Sequence, residues 1–128
     1  MAFRVPTTKI SALSPRKEDG AYLDFIRSLP CAVTGLYCVE AAHLSTGNKF
    51  YGHGGRGMSR KASDRWALPL SSSEHRSQHD MKEAEYWECV GIDPWVLALA
   101  LWGIWSDGGE LEDRKQRAIE TLGVHRAR

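Results

Sequence analysis

The sequence has few of the features that mark secreted or membrane-spanning proteins. It contains only three Cys, an odd number without CxxC spacing, which argues against a disulfide framework and for a reducing compartment. Its longest apolar run, WVLALALWGIW at residues 95–105, has about half the length of a membrane span. The first ten residues contain no apolar stretch of the kind found in secretory signals. We therefore expect a cytoplasmic protein that does not associate with membranes.

The composition is that of one globular domain with an uneven distribution of charge. Of the 128 residues, 42% are hydrophobic and 26% are charged, which suits one core but not two independent ones. The net charge is +1, but residues 1–65 contain ten Lys and Arg against five Asp and Glu, whereas residues 66–128 contain seven against eleven. The basic half is therefore a candidate to face a polyanion.

Local patterns in the first third of the chain predict one helix and two short strands. Ser14–Pro15 has the residue types of a helix start, with Ser as N-cap and Pro in the first turn. An apolar stripe at positions 22, 25, 26 and 29 continues this helix, and Pro30 ends it. Residues 31–44 are rich in β-forming types around a Thr-Gly turn signal, which predicts a hairpin-like pair of strands ending near His43.

The second half of the chain predicts one more strand and three helices. Residues 66–70 (WALPL) alternate as a strand, with a Pro that favours a sheet edge. The SSSE motif that follows has the spacing of a capping box and predicts a helix over residues 71–89. The DP pair at 93–94 starts a helix that is apolar on nearly every face. A last amphipathic helix is expected to end before Gly123, with a frayed basic tail.

Residues 45–61 are predicted to form a long basic loop. Five Gly are interleaved with Lys49, Arg56, Arg60 and Lys61, a glycine density that excludes a helix or strand. Such a stretch inside a compact domain is usually functional or disordered. We expect these cations, together with Arg65, to contact nucleic-acid phosphates with little reading of the base sequence. The alternative is a disordered loop that only increases solubility.

Three histidines have the spacing of a metal-dependent hydrolytic site. His75 and His79 are four residues apart on a predicted helix, so both imidazoles lie on one face and can reach one divalent ion. His43 stands at a predicted strand end, from which it can face that helix and hold a water. Asp64 stands before the next strand and could cap a turn there. Glu40 is near enough in sequence to be a ligand but is expected to be solvated.

The order of these features resembles a known family. The motifs AHL, GRGMSRKASD and PLSSSEHRSQH occur in this order within residues 22–95. They resemble the phage- and prophage-encoded branch of the HNH (His-Me finger) endonuclease superfamily, the branch of the recombination enhancement nuclease. The resemblance implies an α+β fold with a ββα-metal core at about 31–89 and a C-terminal helical extension at about 93–123. Both belong to a single domain over residues 14–128, preceded by a flexible arm at 1–13.

The resemblance also implies an activity and a role for each residue. The protein is expected to be a metal-dependent DNA endonuclease of the bacterial host cytoplasm, acting on single-stranded or duplex DNA near a recombinase filament. His75 and His79 would bind one divalent ion, Mg²⁺ or Zn²⁺, and Asp64 would be an active-site acid or a further ligand. His43 would be the general base that removes a proton from the attacking water. Cleavage would leave 5′-phosphate ends.

The sequence departs from the pattern of this family at two places. Ala42 stands where many HNH proteins have a metal-binding Asp or His. Ser71 and Glu74 stand where many relatives have Cys, so Cys31 and Cys38 could supply at most half of a structural zinc site. These departures keep open a catalytically inactive nucleic-acid-binding module with an HNH-like fold. A ribonuclease is a third alternative.

Overall fold

The computed structural model describes residues 19–54 and 63–127, which form an α+β fold. The described elements are, in chain order, α1 (Gly20–Arg27), β1 (Glu40–His43), β2 (Ala67–Leu70), α2 (Ser72–Asp80), α3 (Glu83–Val90), α4 (Pro94–Asp107) and α5 (Leu111–Arg126). Two short 3₁₀ helices, at Lys49–Tyr51 and Asp64–Trp66, lie between the strands. The predicted arm at residues 1–13 lies outside the described residues.

The two strands pair antiparallel, so the end of β1 lies beside the start of β2. Glu40 pairs with Leu70, and His43 pairs with Ala67. All four residues of β2 are buried, and α1 and α2 both pack against the two strands. The chain order of strand, loop, strand and helix agrees with the order predicted from the sequence.

Helix α1 packs as its apolar stripe predicts but begins later than expected. Asp19 is extended and caps the helix, since its carboxylate accepts a hydrogen bond from the Tyr22 amide at 3.0 Å. The helix therefore starts at Gly20, and the predicted start at Ser14–Pro15 lies outside the described residues. The stripe is buried in the core at Tyr22, Phe25, Ile26 and Leu29.

The predicted hairpin over residues 31–44 is wrong, because its first half is a closed turn and not a strand. The Cys31 amide donates to the Leu36 carbonyl, and the Gly35 amide donates to the Cys31 carbonyl. These hydrogen bonds close a turn over residues 31–36. Gly35 has a φ of +76°, which glycine adopts without steric cost. The Ala32 amide donates to the Pro69 carbonyl. The turn therefore anchors to β2, and only β1 continues as a strand.

The single helix predicted over residues 71–89 is in fact two helices. Helix α2 ends at Asp80, and Met81 and Lys82 are extended before α3 begins at Glu83. The break directs the Glu83 carboxylate to the backbone amides of Ser45 and Thr46. These tertiary hydrogen bonds compensate for the helical hydrogen bonds that the break removes. No pattern of neighbouring residues in the sequence predicts them.

The C-terminal helices confirm the predicted extension, although the last one runs further than expected. The Asp93 carboxylate caps α4 by accepting two backbone amides of the first turn. Helix α5 continues through Gly123 to Arg126. The predicted fraying is wrong because the Arg126 guanidinium donates to the carbonyls of Cys31 and Ala32.

None of the described helices is both long and apolar enough to cross a membrane alone. Helices α3 and α4 reach the required length and composition only together, and they meet at an angle of 82°. The more apolar of the two, α4, buries Leu97, Ala98, Leu101 and Ile104 in the core.

Candidate active site

His43 and Asp64 form a hydrogen-bonded pair at the end of β1. Nε2 of His43 lies 2.7 Å from Oδ1 of Asp64. Asp64 is only 3% exposed, and its Oδ2 accepts a hydrogen bond from the Asp19 amide at 2.8 Å. The side chain of His43 keeps 30% of its surface exposed. The pair thus joins a buried carboxylate to a partly accessible imidazole.

The carboxylate of Asp64 determines which nitrogen of His43 can accept a proton. An ionised carboxylate is only an acceptor, so Nε2 must donate across the 2.7 Å contact. In the neutral imidazole, Nδ1 is then unprotonated. A carboxylate placed in this way fixes the tautomer of the ring and stabilises the imidazolium after proton transfer. With Nε2 donating to Asp64, Nδ1 is the ring nitrogen of His43 that can accept a proton.

His75 and His79 lie together on one face of α2, as their spacing predicts. Their ring centroids are 4.9 Å apart. His79 is exposed and His75 is half-buried. Helix α2 begins just before them because the Ser71 hydroxyl accepts the Glu74 amide at 3.3 Å, which confirms the predicted N-cap. Two imidazoles at this separation can each give one nitrogen to the same ion.

Glu40 is exposed to solvent, as the sequence predicts, but its carboxylate also orients the ring of His75. Oε1 of Glu40 lies 2.8 Å from Nδ1 of His75. The carboxylate remains exposed to 54%, and the imidazole to 23%. Because Nδ1 is engaged by Glu40, Nε2 is the nitrogen of His75 that can bind a metal ion. Carboxylates that hold the second nitrogen of a metal-binding His play this orienting role in many metal sites.

Two hydrogen-bonded pairs contain predicted site residues, and one of them includes Glu40, which the sequence did not assign to the site. Asp64 binds His43 at the end of β1, whereas Glu40 at its start binds His75. Within residues 19–54 and 63–127, no three His, Cys, Asp or Glu side chains are grouped to hold a metal ion. Among the described residues, His75 and His79 could offer two imidazole nitrogens to one ion. Such a donor set suits Zn²⁺ or another transition metal better than Mg²⁺, which prefers oxygen ligands.

The two cysteines of the predicted half zinc site have different environments. Cys31 is buried, and its Sγ accepts hydrogen bonds from the Ser71 amide at 3.4 Å and the Thr34 amide at 3.5 Å. Burial alone would raise the pKa of Cys31, but hydrogen bonds from Thr34 and neighbouring backbone amides bring it below its ordinary value. Cys38 is exposed and has a φ of +73°. In this structure Cys31 is a buried residue whose sulfur accepts hydrogen bonds from backbone amides.

Glu74 links two helices and leaves the predicted capping box half formed. Its Oε1 accepts the Tyr86 hydroxyl at 2.7 Å, which ties α2 to α3. Burial and this hydrogen bond raise the pKa of Tyr86 far above its ordinary value. Tyr86 therefore stays protonated and remains the donor.

The described part of the basic loop folds back onto the end of β1. Asn48 and His53 pair as an isolated antiparallel bridge around the 3₁₀ helix at Lys49–Tyr51. His53 is 2% exposed, and its Nε2 donates to the Leu44 carbonyl at 2.7 Å. Its ring stacks on Trp66 with centroids 4.7 Å apart. Residues 45–54 are therefore folded, which corrects the prediction of a structureless loop in this part.

Two of the predicted phosphate-binding cations belong to the described residues. Lys49 is exposed, and the Arg65 guanidinium lies 5.5 Å from the ring centroid of Trp66. The other three, Arg56, Arg60 and Lys61, lie outside the described residues. Arg65 directly follows Asp64, so one cation is adjacent in sequence to the carboxylate that binds His43.

Sequence reasoning missed two polar side chains that build the surroundings of this site. His53 had no assigned role, and Glu83 was not singled out. Glu83 acts through partners that are distant in sequence, since it accepts the amides of Ser45 and Thr46, 38 and 37 residues earlier. The sequence shows His53 only as a single histidine in a glycine-rich stretch, and that pattern does not predict a structural role.

Comparison with known proteins places the chain in a family without assigning it an activity. A family model matches residues 13–97, a range that includes every candidate residue from Cys31 to His79. No curated protein and no solved structure matches the chain. The chain belongs to the family described as protein of unknown function, DUF968.

Proposed function

We propose that the protein is a metal-dependent endonuclease of the HNH type that hydrolyses phosphodiester bonds in DNA. The supporting observation is the His43–Asp64 pair, in which a 3% exposed carboxylate holds a partly accessible imidazole at the end of a strand. The histidines of α2, the helix that follows the second strand, are the second support. A prophage-encoded role in DNA recombination or processing rests on the sequence resemblance alone.

In the proposed reaction, His43 removes a proton from the attacking water. Nδ1 accepts the proton because Nε2 already donates to Asp64. The resulting imidazolium is stabilised by the adjacent carboxylate, whose second oxygen is held by the Asp19 amide. General-base catalysis of this kind contributes about 10²- to 10⁴-fold to a rate.

The candidate metal ligands are the imidazoles of α2. Nε2 of His75 and one ring nitrogen of His79 would hold a divalent ion, with Glu40 fixing the orientation of the first ring. Such an ion, when bound, neutralises negative charge on the scissile phosphate and the leaving oxygen. Ala42 is fully buried and offers no ligand, so water or substrate oxygens would complete the coordination.

Substrate binding is assigned to the basic loop. Lys49 and Arg65 are the described cations of the set, and Arg56, Arg60 and Lys61 complete it in sequence. Cations separated by glycines suit contacts with the phosphate backbone, which position the duplex without reading its sequence. We expect the same loop to accept single-stranded or duplex DNA.

Metal-stimulated nicking of supercoiled plasmid DNA tests this function. Wild-type protein should nick DNA with Zn²⁺ or Mg²⁺ and lose the activity in EDTA, while labelled RNA incubated in parallel should stay intact. His43→Ala should abolish nicking, whereas the control His125→Ala on α5 should retain it. DNA binding without cleavage under every metal condition would instead favour the inactive binding module, and cleavage of RNA alone would favour the ribonuclease.

A further inference from the structure

Glu83, the first residue of α3, binds two separate segments of the chain with one carboxylate. Its Oε1 accepts the Ser45 amide at 3.0 Å and the Thr46 amide at 2.7 Å. Its Oε2 accepts the Ser45 amide at 3.1 Å and Nε2 of Gln78, also at 3.1 Å. All of these partners are donors, so the site is complementary to an ionised carboxylate.

These hydrogen bonds connect the two halves of the candidate active site. Ser45 follows His43 by two residues, directly beyond the end of β1. Gln78 lies on α2 immediately before His79. Glu83 therefore bonds the segment that holds the candidate base to the helix that holds the candidate metal ligands.

The two segments that Glu83 connects are also held by burial and by a further hydrogen bond, and both restrict the position of its carboxylate. Gln78 is 3% exposed, so its amide cannot turn freely toward solvent. The Thr46 carbonyl accepts the indole Nε1 of Trp95 at 3.1 Å, which fixes the same peptide segment from α4. A displacement of Glu83 would thus move Ser45 and Thr46 relative to α2.

We propose that Glu83 is a positioning residue that sets the location of His43 relative to α2. The inference rests on the proposed nuclease function for its effect on cleavage, but not for its effect on structure. Catalytic groups misplaced by about 1 Å lose about 10²-fold in rate, so a residue that touches no substrate can be required for the chemical step.

The test compares Glu83→Gln with the matched control Glu85→Gln. Glutamine keeps the shape of the side chain but replaces one acceptor oxygen by an NH₂ group, so one of the hydrogen bonds donated to Glu83 loses its acceptor. Glu85 lies in the first turn of the same helix and is exposed, so its replacement removes the same charge without disturbing a buried hydrogen bond.

Two readouts distinguish a positioning role from a purely structural one. In Glu83→Gln, the Ser45 and Thr46 amides should exchange with solvent about tenfold faster or more, and the NMR signals of the His43 ring should shift. The single-turnover cleavage rate at saturating metal and DNA should fall about 10²-fold, with metal affinity and KM retained. Glu85→Gln should match the wild type in every measurement.

Several outcomes would overturn the inference. Faster amide exchange with an unchanged cleavage rate would mean that Glu83 only stabilises the fold. If the wild type does not cleave DNA, the nuclease proposal fails separately, and His43 ring signals unchanged in Glu83→Gln would then reject the positioning role. If Glu83→Gln does not fold, Gln78→Ala removes only the bond to α2, and an undisturbed His43 ring together with wild-type cleavage in that variant would also reject it.

Discussion

The His43–Asp64 pair and the His75–His79 pair of the candidate site are built in opposite ways. The His43–Asp64 pair is anchored by a carboxylate whose side chain is only 5% exposed and which also binds the start of α1. The His75–His79 pair lies on an open helical face, and its orienting carboxylate, Glu40, is 54% exposed. Buried hydrogen bonds fix the first pair before any ligand arrives, whereas the exposed second pair could adjust to the proposed metal ion. The rigidly held pair is therefore the one proposed to transfer the proton, and the adaptable pair is the one proposed to bind the metal ion.

The largest expected effect is that of Asp64→Asn, which disrupts the rigid His43–Asp64 pair. An amide has a single acceptor oxygen, so it cannot accept both the Asp19 amide and Nε2 of His43. We expect cleavage to fall about 10²- to 10⁴-fold and the free energy of unfolding to drop by about 1–3 kcal/mol. Single-turnover nicking and urea unfolding measure the two effects.

The control for this variant is Asp24→Asn on the exposed side of α1. Asp24 pairs at the surface with Arg27 at 3.1 Å, so its replacement should leave both cleavage and unfolding unchanged. An Asp64→Asn protein that cleaves at the wild-type rate would show that the carboxylate does not serve the candidate base.

A smaller effect is expected from Glu40→Ala, which removes the orienting carboxylate of the adaptable pair. Removing such a partner lowers metal affinity about 10- to 100-fold. Because Glu40 is exposed, thermal unfolding of the metal-free protein should hardly change. Calorimetric titration with Zn²⁺ measures the affinity, with Asp80→Ala at the end of α2 as the control of equal charge. Equal affinities for wild type and Glu40→Ala would remove Glu40 from the metal site.

The basic loop is expected to act separately from both pairs. Changing Arg56, Arg60 and Lys61 together to Ala should weaken DNA binding, because fewer phosphates of the duplex are then neutralised by the protein. The plot of log affinity against log salt should flatten by about 0.9 for each phosphate that is no longer neutralised. Metal affinity should stay at the wild-type value. Fluorescence anisotropy over a range of salt concentrations gives the slope, and an unchanged slope would exclude these cations from phosphate binding.

The smallest expected effect is that of metal removal on the fold. The core is supplied by apolar residues of α1, β2 and α4, and the α2 pair lies outside it, so the domain should fold without metal. Circular dichroism in EDTA should show the same helix content and a cooperative melting transition. Disappearance of that transition would mean that metal ligation is part of the fold, as in zinc-dependent domains.

Features with local causes could be predicted from the sequence. The apolar stripe of α1, the Asp93 cap of α4 and the shared face of His75 and His79 follow from helical periodicity and from capping chemistry within one or two turns. The place of His43 at the end of a strand was also predictable, because β-forming residues stop there and a glycine-rich stretch follows.

Features with distant causes could not be predicted. The break between α2 and α3 depends on the bonds of Glu83 to Ser45 and Thr46, and no nearby residue signals them. The tail of α5 stays helical because Arg126 reaches the turn at Cys31, more than 90 residues earlier. The binding of Asp64 to His43 and of Glu40 to His75 likewise depends on how β1 packs against other elements rather than on spacing in the sequence.

Metal titration of His43→Ala and His79→Ala by calorimetry tests the separation of base from ligand most directly. If His43 is the base and the α2 pair binds the ion, His43→Ala should bind metal nearly as well as the wild type while its cleavage rate falls about 10²- to 10⁴-fold. His79→Ala should lose metal affinity and regain some cleavage at high metal concentration. A His43→Ala protein that loses metal as completely as His79→Ala would contradict the account and make His43 a third ligand.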